Sequence, residues 1–399
     1  MRNYLRGGIL LNESICGYNC STCDYNFFCG GCSMCEKVLC CKDCKNCLAT
    51  CFEKNAVNNI QEVCGPLFSL KNNKIVELPF HIPIFPQKLP ENLNFEEFNT
   101  SNSVVSVHGE SFLLKKGNNV ADRFRRVNFK EALNVSNVNG LLEFYSKDKC
   151  LEGLWLNRYT MYKHIKRQKF LAVIAPNFSV YEDYPRIDHL YNMKRSSIIY
   201  NELIDYGINA IPDISFYNKK DLDSYLNEIH KANIKMISVG FHIVGWNSKG
   251  FSIDYWLRDF QYMVENLPPD AKIIISGIIS PIRLLNFVEL MRKEQSLHIL
   301  SSTAFLQARQ GVISSVKQTS LETPKSEVLK KNITFYNDIY KELNKHLKNP
   351  ESSLFHLISK WNIEEKEDLI KNKNNSQVAK LYNISEKQLI MAIYIASKI

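Results

Sequence analysis

The sequence has 399 residues, 45% of them hydrophobic and 23% charged, which is close to the globular average and argues against a disordered or fibrous chain. No apolar run approaches the roughly 18 residues of a helical membrane span, so an integral membrane protein is not expected. Lys and Arg number 50 against 41 Asp and Glu, a net charge of +9 that favours polyanionic partners without demanding one. The apolar stretch Gly8–Leu11 is too short for a signal-peptide core, so a cytoplasmic protein of two or three domains is expected.

Residues 1–70 read as a cysteine-rich metal module. Twelve of the thirteen cysteines lie there: Cys16, Cys20, Cys23, Cys29, Cys32, Cys35, Cys40, Cys41, Cys44, Cys47, Cys51 and Cys64, with only Cys150 elsewhere. In a secreted mini-protein such density means disulfides; in a reducing cytosol, ahead of a long cysteine-poor chain, it points to metal. Cys41, Cys44, Cys47 and Cys51 are spaced C-x2-C-x2-C-x3-C, and Cys29, Cys32, Cys35 and Cys40 repeat the run with one extra residue in the last gap. This resembles the bacterial ferredoxin motif without its trailing proline. Three thiolates at i, i+3 and i+6 suit a cubane, whose irons each take one cysteine, so iron–sulfur clusters of the [4Fe-4S] kind are expected, with zinc as the alternative. No His precedes His81, which excludes a Cys2His2 finger here. Twelve thiolates suffice for three four-cysteine sites, although spacing does not fix the pairing. The bland alternative is metal that only staples a small domain.

Cys16, Cys20 and Cys23 also form C-x3-C-x2-C, which resembles the cluster motif of radical S-adenosylmethionine enzymes. Thr22 stands where that family usually has an aromatic residue, and no glycine-rich methionine-binding segment follows.

From about residue 100, short apolar runs alternate with amphipathic stretches. The runs are Phe170–Ala175, Ile208–Pro212, Met236–Gly240, Lys272–Ser276 and Leu297–Leu300. Helices are expected over Ile187–Tyr206, Lys220–Ala232, Ile253–Leu267 and Ile282–Glu294. Strands apolar on both faces, separated by helices, indicate parallel pairing. Earlier strands around Val104–Val107, Leu141–Phe144 and Gly153–Leu156 complete an α/β fold, a (β/α)8-like TIM barrel over residues 71–325. No Gly-x-Gly-x-x-Gly follows a strand, which disfavours an open doubly wound sheet.

Barrel active sites lie at the strand C-terminal ends. The residues following the runs form a polar ring: Asn177 and Ser179, Asp213 and Ser215, His242, Ser276, then Ser301, Ser302 and Thr303. Asp213 and His242, on adjacent strands, are the expected acid/base pair, with Ser302 beside them. Turn, cap or buried structural roles are the plain alternatives for both. Gly277, Ser301, Thr303 and Arg309 are the candidate cofactor or phosphate site, because the last two loops of many barrels bind phosphate.

The residues Ala175–Pro185, with Tyr191-Asn192, Arg195, Gly207-Ile208, Ile211-Pro212, Ser238-Val-Gly240 and, upstream, Leu154–Tyr159, resemble the domain-of-unknown-function 4417 family over about residues 150–280. The resemblance implies a setting on phages, plasmids and other mobile elements, without an assigned activity. Asn177 stands where an aspartate is expected. The segment His298–Arg309 is similar to the late strand and helix of barrel enzymes that exchange guanine bases in nucleic acid, which implies an aspartate nucleophile; Asp213 or Asp183 would fill that role.

Two stretches concentrate positive charge. One holds Lys115, Lys116, Arg123, Arg125, Arg126 and Lys130; the other holds Arg158, Lys163, Lys166, Arg167 and Lys169 among Tyr159, Tyr162 and His164. Basic residues interleaved with aromatics suit nucleic-acid binding, while a solvated helix face explains either stretch alone. Residues 326–399 read as an all-helical domain ending in a helix-turn-helix pattern over Ser376–Tyr394. In it Ala379, Ile384, Leu389 and Ala392 face inward, Asn383 takes the turn, Ser385 caps the second helix, and Glu386, Lys387, Gln388 and Ile390 face outward. The expected protein is therefore a metal-cluster-containing, nucleic-acid-associated enzyme, with DNA the favoured partner and a base or nucleotide the substrate. A non-catalytic DNA-binding protein competes, and a radical enzyme is third.

Overall fold

The computed structural model describes residues 56–85, 104–135, 137–180, 186–241, 253–315, 318–319, 323–362, 366 and 375–397. Eleven of the twelve clustered cysteines, from Cys16 to Cys51, together with Asp183 and His242, lie outside the described residues, as does most of the expected 1–70 module.

Eight parallel strands form a nearly closed barrel: β1 (His81–Phe85), β2 (Val104–His108), β3 (Asn139–Glu143), β4 (Ala172–Ile174), β5 (Ala210–Ile211), β6 (Met236–Gly240), β7 (Lys272–Ser276) and β8 (Ser296–Ser301). Their order around the sheet is 5-4-3-2-1-8-7-6, so each strand except at the last seam pairs with its neighbours in sequence. That seam, between β5 and β6, is joined by a single parallel bridge from Asp213 to Ser238. Ile214 N–H donates to Ser238 O at 2.8 Å, and Ser238 N–H to Pro212 O at 2.9 Å. At the opposite end of the seam, Asn73 Nδ2 donates to the carbonyls of both Ala210 and Met236, at 3.2 Å each. A buried amide thus satisfies carbonyls that the short β5 leaves without ladder partners.

The lumen holds its own apolar layer, in which Ile82, Val104, Leu141, Ile174, Ile211, Met236, Ile274 and Leu300 meet. Val76 and Leu78 close it from the strand N-terminal side. The larger core lies between the strands and the surrounding helices.

The helices include α1 (Ala56–Glu62), the short α2 (Gly109–Phe112), α3 (Asp122–Arg126) and α4 (Phe129–Leu133), then α5 (Asp148–Gln168), α6 (Arg186–Asp205), α7 (Lys219–Lys231), α8 (Ile253–Asn266), α9 (Pro281–Val288) and α10 (Thr303–Arg309). A β-hairpin of β9 (Val312–Ile313) and β10 (Gln318–Thr319) precedes α11 (Lys325–Lys348). The helix α11 packs on β1 and β8 as an outer helix of the barrel: His81 of β1 lies against the rings of Tyr336 and Tyr340, and Asn344 Oδ1 accepts from Leu297 N at 2.8 Å. After it come α12 (Leu354–Ser359), α13 (Asn375–Leu381) and α14 (Glu386–Ala396). Among the described residues no helix is long and apolar enough to cross a membrane.

Two sequence expectations are corrected. Gly153–Leu156 is not a strand but a turn of α5, with Gly153, Leu154 and Trp155 buried and Leu156 exposed; a Cβ on Gly153 would lie 1.8 Å from Lys116 O. A four-residue apolar run does not distinguish a buried strand from a buried helix turn. The helix expected over Ile282–Glu294 ends at Val288.

Candidate active site

The C-terminal ends of β2 to β6 bring a connected set of polar side chains together. Asp213, two residues after β5, is 1% exposed and accepts three side-chain hydrogen bonds. Tyr145 Oη donates to Oδ1 at 2.6 Å; Asn177 Nδ2 and Ser215 Oγ donate to Oδ2, each at 2.7 Å. Tyr145 Oη also lies 2.6 Å from Ser238 Oγ, and Asn177 Nδ2 lies 3.0 Å from Ser215 Oγ. Burial pushes the Asp213 carboxyl up from 3.8 to about 6, while its three donors pull the other way. A carboxyl in that range exchanges a proton near neutral pH. Burial, then the Asp213 carboxylate, holds the Tyr145 phenol well above its usual value, so it serves as a neutral donor.

Beside this cluster, His108 at the end of β2 bonds through Nδ1 to Oε1 of Glu143 on β3. Glu143 is fully buried, and its Oε2 accepts the Tyr145 N–H at 2.7 Å. The His108 side chain keeps 26% of its surface exposed. Burial alone lowers its pKa, but the Glu143 charge and hydrogen bond outweigh this, and the imidazole is raised above its ordinary value. A buried carboxylate that fixes one ring nitrogen leaves Nε2 as the working atom of an acid/base histidine. His108 and Glu143 are the last residues of β2 and β3, and sequence reasoning missed both; the available signals were His108 directly after the run Val104–Val107 and a glutamate interrupting the apolar run Leu141–Phe144.

Space around Tyr145 is made by Gly240. A Cβ there would fall 2.5 Å from Tyr145 Cε1 and 3.3 Å from Asn177 Nδ2.

Behind the site, the residues that carried the family resemblance hold the loop after β4. Ser196 Oγ donates to Pro176 O at 2.8 Å, and Asn192 Nδ2 to Ser179 O at 2.6 Å. Ser179 Oγ donates to the buried Asp148 at 2.8 Å. Arg195, 4% exposed, reaches Oε1 and Oε2 of Glu152 at 2.8 and 2.7 Å and Asn192 Oδ1 at 2.5 Å. Its guanidinium also lies over the rings of Phe178 and Tyr191, at 4.1 and 4.4 Å. Asn177 and Ser179 therefore take different parts: the first touches Asp213, the second anchors the loop.

Of the expected catalytic trio, Asp213 occupies the mouth, His242 lies outside the described residues, and half-buried Ser302 precedes α10 without a side-chain cap bond. No hydrogen bond among the described residues joins Ser302 to the Asp213 cluster. Of the candidate phosphate set, Gly277, Ser301 and Thr303 lie together, because Ser276 of β7 pairs with Leu300 of β8. Gly277 supplies a turn with φ 93°, and Ser301 Oγ bonds Thr303 Oγ1 at 2.9 Å and Thr303 N at 3.1 Å. Arg309 is exposed at the far end of the seven-residue α10, about 9 Å along the axis from its start.

Among the expected metal ligands, only Cys64 is described. It is exposed and free, with φ 60°, just past the end of α1, which packs on α6. Among the described residues no three His, Cys, Asp or Glu side chains converge on a common point.

The two basic stretches meet on one surface. Arg167 Nη2 donates to Phe124 O at 3.0 Å and to Arg125 O; Gln168 Nε2 donates to Phe124 O at 2.6 Å. Within it Arg126, Lys163 and Lys166 are exposed, and Arg125 pairs with Asp122. Arg123 is half-buried, donating to Ser111 O at 3.3 Å, and Arg158 is held by Glu202 at 3.0 Å and stacked 4.0 Å over Trp155.

The C-terminal helices place Ala379, Leu389 and Ala392 in the core, put Asn383 at φ 51° in the turn, and cap α14 with Ser385. Gln388 is not presented for base reading, since its side chain closes the capping box with Ser385, and Lys387 Nζ pairs with Asp338 at 2.5 Å.

No curated protein matches the sequence. Residues 112–287 match the model of the family described as Domain of unknown function (DUF4417), a segment that supplies Glu143, Tyr145, Asn177, Asp213 and Ser238 but not His108.

Proposed function

We propose that the barrel mouth is an acid/base active site and that the protein modifies a base or nucleotide, as a nucleic-acid-associated enzyme with an N-terminal iron–sulfur module. The observation that carries this reading is Asp213: a buried carboxyl, brought to about 6, held by side chains from three successive strand ends. Asp213 takes or returns the proton at the reacting atom, and the three donors keep its lone pairs oriented. His108, fixed by Glu143, supplies the complementary proton, since the neighbouring carboxylate raises the imidazole pKa. The mobile-element setting implied by the family resemblance and the net charge of +9 favour nucleic acid as the substrate source.

For the cysteine module, the exposed free thiol of Cys64 fits a metal ligand, and the ferredoxin-like spacings favour clusters over zinc. When bound, a cluster supplies electron transfer or structural cross-linking; the acid/base roles of Asp213 and His108 do not depend on it. The competing reading, a DNA-binding protein acting through its C-terminal helix pair, is weakened because Lys387 and Gln388 are engaged within the fold.

The test is mass spectrometry of nucleosides released from DNA and RNA after incubation with anaerobically purified protein. A nucleoside change given by the wild type and lost in Asp213→Asn supports the reading. An unchanged nucleoside profile with the wild type, iron-loaded and reduced, removes it. Iron and sulfide near four each per site decide for clusters, and zinc in a colourless sample decides against them.

A further inference from the structure

The helices α3 and α5 meet at the end of the barrel opposite the active-site mouth. The chain leaves α5 at Gln168 and enters β4 at Ala172, so the last turns of α5 lie at the N-terminal ends of the strands. Two bonds from Arg167 and one from Gln168 to the carbonyls of α3 lock the segments into one face. Lys163, Lys166 and Arg167, at i, i+3 and i+4, share a side of α5. A Cβ on Gly207 would lie 3.7 Å from Lys166 Nζ, which places that ammonium beside the turn into β5 and extends the face along the barrel end.

From this juxtaposition we infer a binding surface for the phosphate backbone of duplex nucleic acid, formed by Arg125, Arg126, Lys163, Lys166 and Arg167 and separate from the mouth. It deepens the nucleic-acid reading above by naming a second contact on the polymer.

Charge is the first argument. Arg126, Lys163 and Lys166 have no acidic partner among the described residues, whereas Asp122 is taken by Arg125 and Glu131 by the Asn128 cap of α4. The neighbouring His164 reports the local field: burial, then the Arg167 and Arg125 charges, hold its pKa below the ordinary value. The choice of occupant follows from what is absent. No large exposed hydrophobic residue lies in α3 or in residues 160–169, and the exposed Leu156 and Tyr159 on the preceding turns of α5 offer too little apolar area for a membrane surface. Neither α3 nor residues 160–169 offer an exposed aromatic platform of the kind that stacks single-stranded bases, and Tyr159, one turn earlier, is tied to Glu202 at 3.0 Å. Backbone neutralisation without base contact is what remains. Three to four phosphates contacted on one face predict a log–log salt slope of about −3.

The test is fluorescence anisotropy of a labelled random-sequence duplex DNA with the full-length protein across a salt series. Lys163→Glu/Lys166→Glu is expected to weaken binding at least tenfold at 100 mM salt and to flatten the slope by about 2. The matched reversal Lys330→Glu/Lys341→Glu, on exposed positions of α11, changes net charge equally and is expected to weaken binding less than threefold. Melting curves check both folds, and Lys163→Gln/Lys166→Gln gives the same order if the reversal unfolds. Equal loss in both double variants, no duplex binding by the wild type, or equal affinity for phosphatidylserine vesicles overturns the inference. Turnover is not read, so an inactive mouth leaves this result standing.

Discussion

The hydroxyl of Tyr145 donates to Asp213 Oδ1 at 2.6 Å. The same residue gives its backbone N–H to Glu143 Oε2 at 2.7 Å, so one tyrosine sets the position of both buried carboxylates at the mouth. Because that hydroxyl lowers the Asp213 pKa, Tyr145→Phe should raise it above 6. Unfolding in urea should show a loss of about 1 kcal/mol, the net worth of one such bond. An Asp213 titration unchanged by the substitution would separate the two residues in function.

Gly240 has no positive φ to protect; its role is room. Gly240→Ala places a methyl 2.5 Å from Tyr145 Cε1 and near Asn177 Nδ2, displacing two of the three Asp213 donors. The expected cost is about 1–3 kcal/mol in stability, with a loss of activity. Wild-type turnover in the variant would show that the donor geometry is immaterial.

Opposed protonation terms shape stability against pH. Burial raises Asp213 from 3.8 to about 6, so its favourable term is present below 3.8 and lost as pH rises through 6. Burial lowers His81 and His298 from 6.5 to about 4, so their terms are present above 6.5 and lost as pH falls through 4. The gap between 6.5 and about 4 corresponds to about 3 kcal/mol for each histidine, and the acid side dominates. His81→Phe keeps the ring packing against Tyr336 and Tyr340 and should reduce the stability lost between pH 7 and pH 4.5 by about 2 kcal/mol. Chemical denaturation at the two pH values measures it; an undiminished loss contradicts the assignment.

Arg195→Lys is not conservative at this position, because the planar guanidinium reaches Glu152 through Nη1 and Asn192 through Nη2 while it lies over two rings. The substitution should cost about 3 kcal/mol and loosen the loop that aims Asn177. Thermal melting checks the first effect, and amide exchange at Asn177 and Phe178 checks the second; wild-type protection there would show that the loop holds itself.

The late strands were readable because Ile273, Ile274 and Ile275 fill buried positions in an unbroken apolar run and Ile237 and Val239 are buried on either side of Ser238. The first strand was not, since His81 and Pro83 interrupt its pattern: one is buried against α11, and the other withdraws a ladder donor. Asp213 was legible as the polar residue following an apolar run. Glu143 was hidden because it lies between Leu142 and Phe144 in an apolar run, whereas His108 follows Val107 directly and was legible by the same rule as Asp213. The two basic stretches looked separate along the chain; only the Arg167 and Gln168 bonds to α3 reveal a single surface.

The central claim is that Asp213 is the proton-exchanging carboxyl of the mouth. Carbon-13 NMR titration of side-chain carboxyls, with Asp213→Asn identifying the resonance, tests it directly. The account predicts a midpoint of about 6. A midpoint near the ordinary 3.8 would mean a permanently ionised structural carboxylate, and the acid/base assignment would fall.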